Sequence, residues 1–280
     1  MTVHIGWFTT ARGPGSRGMY QAVHAAIEDG SLDARISFVF SNRDRGEDPT
    51  TDAFFDRVDG DGIPLIARSS VRFRRASGGE RSRAGAPLPE WRVSYDEAVA
   101  DAIEGYRFDI GILAGYMLIF TAAFVERFPV LNLHPALPTG PIGTWREVNR
   151  ELIRSGAAES GVMVNLAIPE VDKGPVVAYC RYPIVGIPFD SPRSDLGDPA
   201  GLDDATIEDS ALFAAIREAG LRREAPFLVE LLRAFAEDRV RVEDSSVIYA
   251  SGRAALPIDL TPEVNERLGI GVEAAGQAPS

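Results

Sequence analysis

Short runs of β-branched and aromatic residues alternate with amphipathic stretches over the first 67 residues, and this alternation constrains the fold more than any other feature. VHIGWF, RISFVF and IPLIA read as strands one to three, with helices over 17–29 and 51–59 between them. A strand, a crossover helix and a second strand pack back as parallel neighbours, so the expected class is α/β. The pattern resumes with a helix over 95–105, strand four in FDIGILAGY, a helix over 121–127, strand five in PVLNLH and a helix over 144–155. SGVMVNLAI and PVVAYCRYPI follow as two more strands, the second ending near Val185. The whole reads as an open, mostly parallel, doubly wound, Rossmann-like sheet.

Two stretches break the pattern. Residues 68–92 hold seven arginines, two glutamates and several Gly, Ser and Pro, which reads as a loop or excursion outside the core. It is either a solvated insertion or a cationic lid over an anionic substrate. The acidic segment 190–209 reads as a polar connection with a helix cap at its end. Amphipathic helices are expected at 208–219 and 224–237, and the residues beyond about Ala254 look weakly ordered.

Charge and cysteine usage narrow the partners. A net charge of -12 and a pI near 4.8 argue against a general nucleic-acid surface, which needs clustered cations, and favour a small-molecule substrate. The single Cys180 excludes an internal disulfide framework and a thiol-rich metal site, which fits a reducing cytoplasm. MTVHIGWFTT lacks the cationic and apolar blocks of a secretory signal. The longest apolar run, 110–125, is 16 residues against the roughly 20 that a membrane span requires.

Two motifs carry candidate chemistry. In GPGSRG, Gly13, Gly15 and Gly18 match G-x-G-x-x-G between a strand and a helix. The dinucleotide reading fits badly, because TTAR separates the strand from Gly13 and strand two ends in SNRDR without an acidic ribose ligand. Gly13, Gly15, Ser16 and Arg17 could instead form an anion pocket at a helix start, most simply for a phosphate ester, with a plain Gly-rich turn as the alternative.

The second motif is VLNLHP. Residues two apart on a strand share a face, so Asn132 and His134 project together near the end of strand five, and Pro135 stops the ladder. A carboxamide donor beside an imidazole can polarise a carbonyl and hold its oxyanion. Asp172, in the turn of IPEVDKGPVV, is a candidate to orient the ring, although a turn aspartate can equally cap its own backbone. A lone histidine in an apolar run is more often a hydrogen-bonded core residue, so the combination carries the weight.

With these residues in view, LAGYMLIFTAAFVERFPVLNLHPALP and ESGVMVNLAIPEVDKGPVVAY resemble the formyltransferases that use 10-formyltetrahydrofolate, in order and spacing. The resemblance extends to LLRAFAEDRVRVEDSSVIY, similar to the family's closing helix and strand. It implies the formyltransferase fold and a catalytic trio at Asn132, His134 and Asp172. It also implies two folate loops, at Met117, Leu118, Ile119 and Phe120 and at Ile168, Pro169, Glu170 and Val171. Transfer of a formyl group from the co-substrate 10-formyltetrahydrofolate to a primary amine follows, with no metal. The first expectation for the acceptor is glycinamide ribonucleotide of purine biosynthesis; the alternatives are water, as in formyltetrahydrofolate deformylase, or an amino sugar nucleotide. Neither nucleic acid nor membrane is an expected partner, and a homodimer is compatible. The implied layout is a catalytic domain over 1–188 with the 68–92 insertion, a C-terminal helical extension over 189–254 packed on the same domain, and a weakly ordered tail over 255–280. Three positions depart from the family pattern: Arg17 stands where Asn is usual, Leu118 where Arg is, and Asn165 where His is.

Overall fold

A computed structural model of the protein describes residues 1–82, 86–170, 173–250 and 256–270. Its centre is an eight-stranded sheet in the order β10-β7-β6-β5-β4-β1-β2-β3. The first half alternates as the sequence suggests: β1 (Val3–Thr9), α1 (Pro14–Glu28), β2 (Ala34–Ser41), α2 (Pro49–Gly60) and β3 (Leu65–Ala67). Next come α3 (Ser70–Ala76), α4 (Trp91–Ile103), β4 (Ile110–Leu113), α5 (Ala122–Arg127), β5 (Val130–His134) and α6 (Trp145–Arg154). β1 is parallel to β2 and β4, β2 to β3, and β4 to β5. β6 (Glu159–Leu166) then runs antiparallel to β5, and β7 (Val176–Pro183) antiparallel to β6, joined by a short hairpin that no helix could span.

Period-two alternation in β1 builds two cores at once. Ile5 and Trp7 enter the layer shared with α1, α2 and the C-terminal helix, while Phe8 enters an aromatic layer with Phe38, Phe40, Tyr95, Phe120 and Phe124 under α4 and α5. Trp7 and Phe8 are both fully buried, so neither face of the sheet is solvated. Gly6 lies against the Phe38 ring, where a Cβ would come within 2.8 Å, and the β1–β2 register shifts at this point.

The structure corrects the sequence reading in four places. The 68–92 stretch is not a simple excursion. Ser69 caps α3 through Arg72 N–H, Phe73 packs edge-on against Tyr95, and Arg92 is buried in α4. The acidic segment contains α7 (Asp190–Leu196), a single 3-10 turn and α8 (Asp204–Glu208). Its carboxylates close on an arginine stripe along α6: Glu208 pairs with Arg146 and Arg150, and Asp204 with Arg154 at 2.6 Å.

The two helices expected at 208–219 and 224–237 are one, α9 (Ala211–Ala236), which runs through Pro226. Gly220 is a packing residue there rather than a break, since a Cβ would lie 3.0 Å from the Tyr182 hydroxyl. The apolar face of α9 packs on α1, β6 and β7, and that burial outweighs the donor Pro226 lacks. After the hairpin β8 (Val240–Glu243) and β9 (Ser246–Tyr249), residues 256–270 are ordered where a weak tail was expected. β10 (Ile258–Asp259) pairs in parallel with β7, and α10 (Thr261–Arg267) follows, with Leu260 and Val264 fully buried.

Candidate active site

Asn132 and His134 share the sheet face of the aromatic layer, because Val130, two residues back, belongs to that layer while Leu131 faces the other core. In β6 the cross-strand partners are Asn165 opposite Asn132 and Met163 opposite His134. Cross-strand partners point to the same side, so four side chains form one patch beyond the six-residue helix α5. His134 is 4% exposed, and its Nε2 lies 3.0 Å from the Pro141 carbonyl. A carbonyl only accepts, so Nε2 carries a proton and Nδ1 is the ring nitrogen left to act as acceptor. Asn165 is 3% exposed, and its Oδ1 has no hydrogen-bond partner among the described residues. A buried acceptor without a donor is costly, and such groups concentrate at functional sites.

Of the second loop, Val171 and Asp172 lie outside the described residues. Its flanks lie level with Asn132 rather than with His134: Ala167 N–H donates to Val130 O at 2.7 Å, and Val176 pairs with Asn165. Antiparallel β6 causes this, since the loop leaves at the opposite end of β5 from Pro135. Ile168 is half-buried, while Pro169 and Glu170 are exposed. The turn needs glycine at 174, because a Cβ there would sit 1.7 Å from the Leu166 carbonyl.

The loop after β4 alternates like a strand. Gly115, Met117 and Ile119 face out, Tyr116 and Phe120 are buried, and Leu118 is half-buried. Phe120 stacks between Tyr116 and Phe124, so its ring is core and only its backbone can face a ligand. Met117 and Ile119 remain 73% and 46% exposed, an apolar edge suited to a flat heterocycle. Beneath, the buried Arg92 guanidinium donates to Ile119 O, and Asp96 accepts from Thr121 N–H at 2.6 Å. Burial pushes the Asp96 carboxyl above its ordinary range.

The glycine turn joins the same neighbourhood. Thr10 N–H donates to Gly115 O, Met117 N–H donates to Thr10 Oγ1 at 3.1 Å, and a Cβ on Gly115 would meet Ser16 at 2.8 Å. Gly115 itself has φ +69°, which favours glycine. Ser16 turns its hydroxyl back to Gly13 O at 2.9 Å, and Arg17 is half-buried. Gly13 is the N-cap of α1 without a side-chain cap, so the first-turn amides of Gly15 and Ser16 have no intrahelical acceptor. Gly15 makes room for α9: a Cβ would approach Glu224 Oε2 to 2.6 Å and Leu221 to 3.0 Å. Glu224 is 4% exposed and accepts from Arg217 at 2.9 Å. The sequence reading singled out neither Glu224 nor Arg92 and Asp96; charges spaced four or seven apart on otherwise apolar helix faces were the available signal.

The formyl transferase family profile matches residues 13–191, and the chain belongs to that family. Phosphoribosylglycinamide formyltransferase of Escherichia coli (strain K12) is 33% identical over 96 residues, 33% of this chain and 44% of the relative. The enzyme of the same name from Haemophilus influenzae is 30% identical over 164 residues, 58% of this chain and 65% of the relative. The chain thus matches less than two thirds of the length of either relative. Glycinamide ribonucleotide transformylase 1 from Symbiobacterium toebii superposes with a TM-score of 0.61 at 23% identity, covering 89% of this chain and 94% of that one. A formyltetrahydrofolate deformylase from Pseudomonas syringae pv. tomato also gives 0.61, at 17% identity over 89% of this chain and 66% of that one. These structures share the fold, and the sheet with its flanking helices is the formyltransferase architecture. Equal scores for a transferase and a deformylase leave the acceptor to the chemistry of the site.

Proposed function

We propose that the protein transfers a formyl group from 10-formyltetrahydrofolate to the primary amine of phosphoribosylglycinamide. The observation that carries this reading is the pairing of Asn132 and His134 on one sheet face, next to the exposed apolar edge at Met117 and Ile119, within the stretch that matches the family. That edge and the flanking Ile168, Pro169 and Glu170 would hold the pteridine, with backbone groups from Met117 to Phe120 supplying polar contacts. Val171 and Asp172 complete the proposed folate loop and trio. The folate supplies an activated formyl carbon on N10.

The neutral amine attacks that carbon and forms the new C–N bond. Asn132 donates to the developing oxyanion, where a preorganised donor is worth several kcal/mol (about 3). The Nδ1 lone pair of His134 takes the amine proton, with Pro141 O holding the tautomer and Asp172 favouring the imidazolium. The proton returns to the departing N10 as its bond to the formyl carbon breaks, leaving tetrahydrofolate and the N-formyl product. No covalent enzyme intermediate is required. The first-turn amides of Gly15 and Ser16, with Gly13 and Arg17, would take the acceptor's phosphate, and the Arg217–Glu224 pair lies beside them.

The test is a spectroscopic assay of 10-formyltetrahydrofolate consumption with no acceptor, with phosphoribosylglycinamide and with amino sugar nucleotides. Turnover is expected with phosphoribosylglycinamide alone, and to fall at least about 100-fold in His134→Ala and Asn132→Ala. Formate release without amine would replace this reading with the deformylase. Unchanged rates in both variants would remove the roles assigned to the pair.

A further inference from the structure

Arg92 and Asp96, one turn apart on α4, are 1% and 2% exposed, among the most buried charged residues described. Among the described residues, neither has an opposite charge at close range apart from the other, at 3.7 Å. What they bind is backbone: Arg92 takes the carbonyl of Ile119, and Asp96 takes the N–H of Thr121 at 2.6 Å. The two contacts bracket Phe120, whose ring is stacked between Tyr116 and Phe124. Trp91 adds a ring face 5.3 Å from the Arg92 guanidinium, and Tyr95, between the two charges, anchors α4 to Arg68 O at 2.7 Å. A pair kept only for stability would be replaceable by apolar residues at little cost, because burying charges costs several kcal/mol per ion. A retained buried pair whose partners are two peptide groups of one exposed apolar loop is better explained by what that loop must hold still.

We infer that Arg92 and Asp96 are positioning residues for the folate-side loop, fixing the peptides on either side of Phe120 so that Met117 and Ile119 and the loop backbone present a preformed edge to the pteridine. The inference rests on the folate reading of residues 117–120. Its consequence is selective: loosening the clamp costs folate affinity and leaves the Asn132–His134 chemistry and the acceptor site intact, since neither Arg92 nor Asp96 is hydrogen-bonded to those groups.

Three variants test it on the full chain. Arg92→Lys keeps the charge and loses the planar guanidinium whose Nη2 donates to Ile119 O and lies 3.7 Å from Asp96. Thr121→Pro removes the backbone donor to Asp96 together with the Thr121 hydroxyl that supports the same carboxylate, at a position whose φ of -71° already suits proline. Asp96→Asn keeps an acceptor for Thr121 N–H but leaves Arg92 without its opposite charge, and so separates the hydrogen bond from the ion pair. Steady-state kinetics should show the KM for 10-formyltetrahydrofolate raised about 5- to 20-fold in the first two variants, with kcat and the acceptor KM within about twofold, and raised less in Asp96→Asn than in Thr121→Pro. Fluorescence titration with 10-formyl-5,8-dideazafolate should show the same weakening in the folded fraction. Wild-type binding with unchanged affinity in both Arg92→Lys and Thr121→Pro overturns the clamp alone. A fall in kcat with folate KM unchanged also overturns it. Failure of wild type to bind the analogue removes the folate reading of the loop, and this inference with it.

Discussion

Asn165 combines three properties rarely found together in a strand: it is buried, its carboxamide oxygen has no partner among the described residues, and it faces Asn132 across the β5–β6 ladder. Alanine removes the orphaned acceptor without adding volume to the buried site. Asn165→Ala is therefore expected to leave the stability within about 1 kcal/mol of wild type, while lowering kcat/KM roughly tenfold or more. Melting curves beside initial rates check this, and a variant that loses stability while keeping activity would mark Asn165 as structural. The residue-level part of the site was legible wherever chemistry coincided with a backbone period. Asn132 and His134 stood out because a two-residue spacing before proline fixes a shared face from sequence alone. Arg92 did not, because a run of seven arginines reads as solvated, and only the tertiary contact with Ile119 O shows that one of them is buried. Pro141 O as the partner of His134 was equally hidden, since a seven-residue loop return has no local signature.

Elements were legible where one period dominated and obscure where partners came from elsewhere in the chain. Strands β1, β2 and β5 could be read from alternation, and α6 from its apolar stripe. The acidic 190–209 segment could not, because its helices close on Arg146, Arg150 and Arg154, some fifty residues earlier. The C-terminal β10 and α10 are the strongest case. Two residues of strand and seven of helix have little intrinsic stability, so the burial of Leu260 and Val264 against the main core holds them in place. Arg239 to Glu263 at 3.2 Å and Arg267 to Glu230 add ion pairs at the same seam. Ending the chain after residue 255 should cost about 3–5 kcal/mol, from two fully buried aliphatic side chains and an uncovered β7 edge. Chemical denaturation of the shortened and full chains measures it, and coincident midpoints would show that 256–270 are dispensable.

At the scale of the whole molecule, the chain balances a net charge of -12 against a core that keeps its weak acids neutral. Burial raises the Cys180 thiol to about 11 and holds the Tyr95 and Tyr116 phenols above their usual range. Each group binds its proton more tightly folded than unfolded, so its contribution is complete below the unfolded pKa, near 9 for the thiol and 10 for the phenols, and is lost as pH rises through the folded value. The thiol alone contributes on the order of 2–3 kcal/mol of this pH dependence. Above pH 9 the unfolded chain sheds these protons first, and the added negative charge deepens the repulsion already present in an acidic molecule. Thermal unfolding followed by circular dichroism from pH 7 to 11 should give a flat midpoint to about pH 8.5 and a steady fall beyond it. Cys180→Ala should fall less steeply, since it lacks one of the buried groups that hold their protons. The same burial leaves the thiol unreactive toward a disulfide reagent at pH 8 until the protein is denatured. A thiol that titrates rapidly in the native state would mean that the layer between β7 and α9 is open to water, and a midpoint constant to pH 11 would mean that the packing described for both faces of the sheet is wrong.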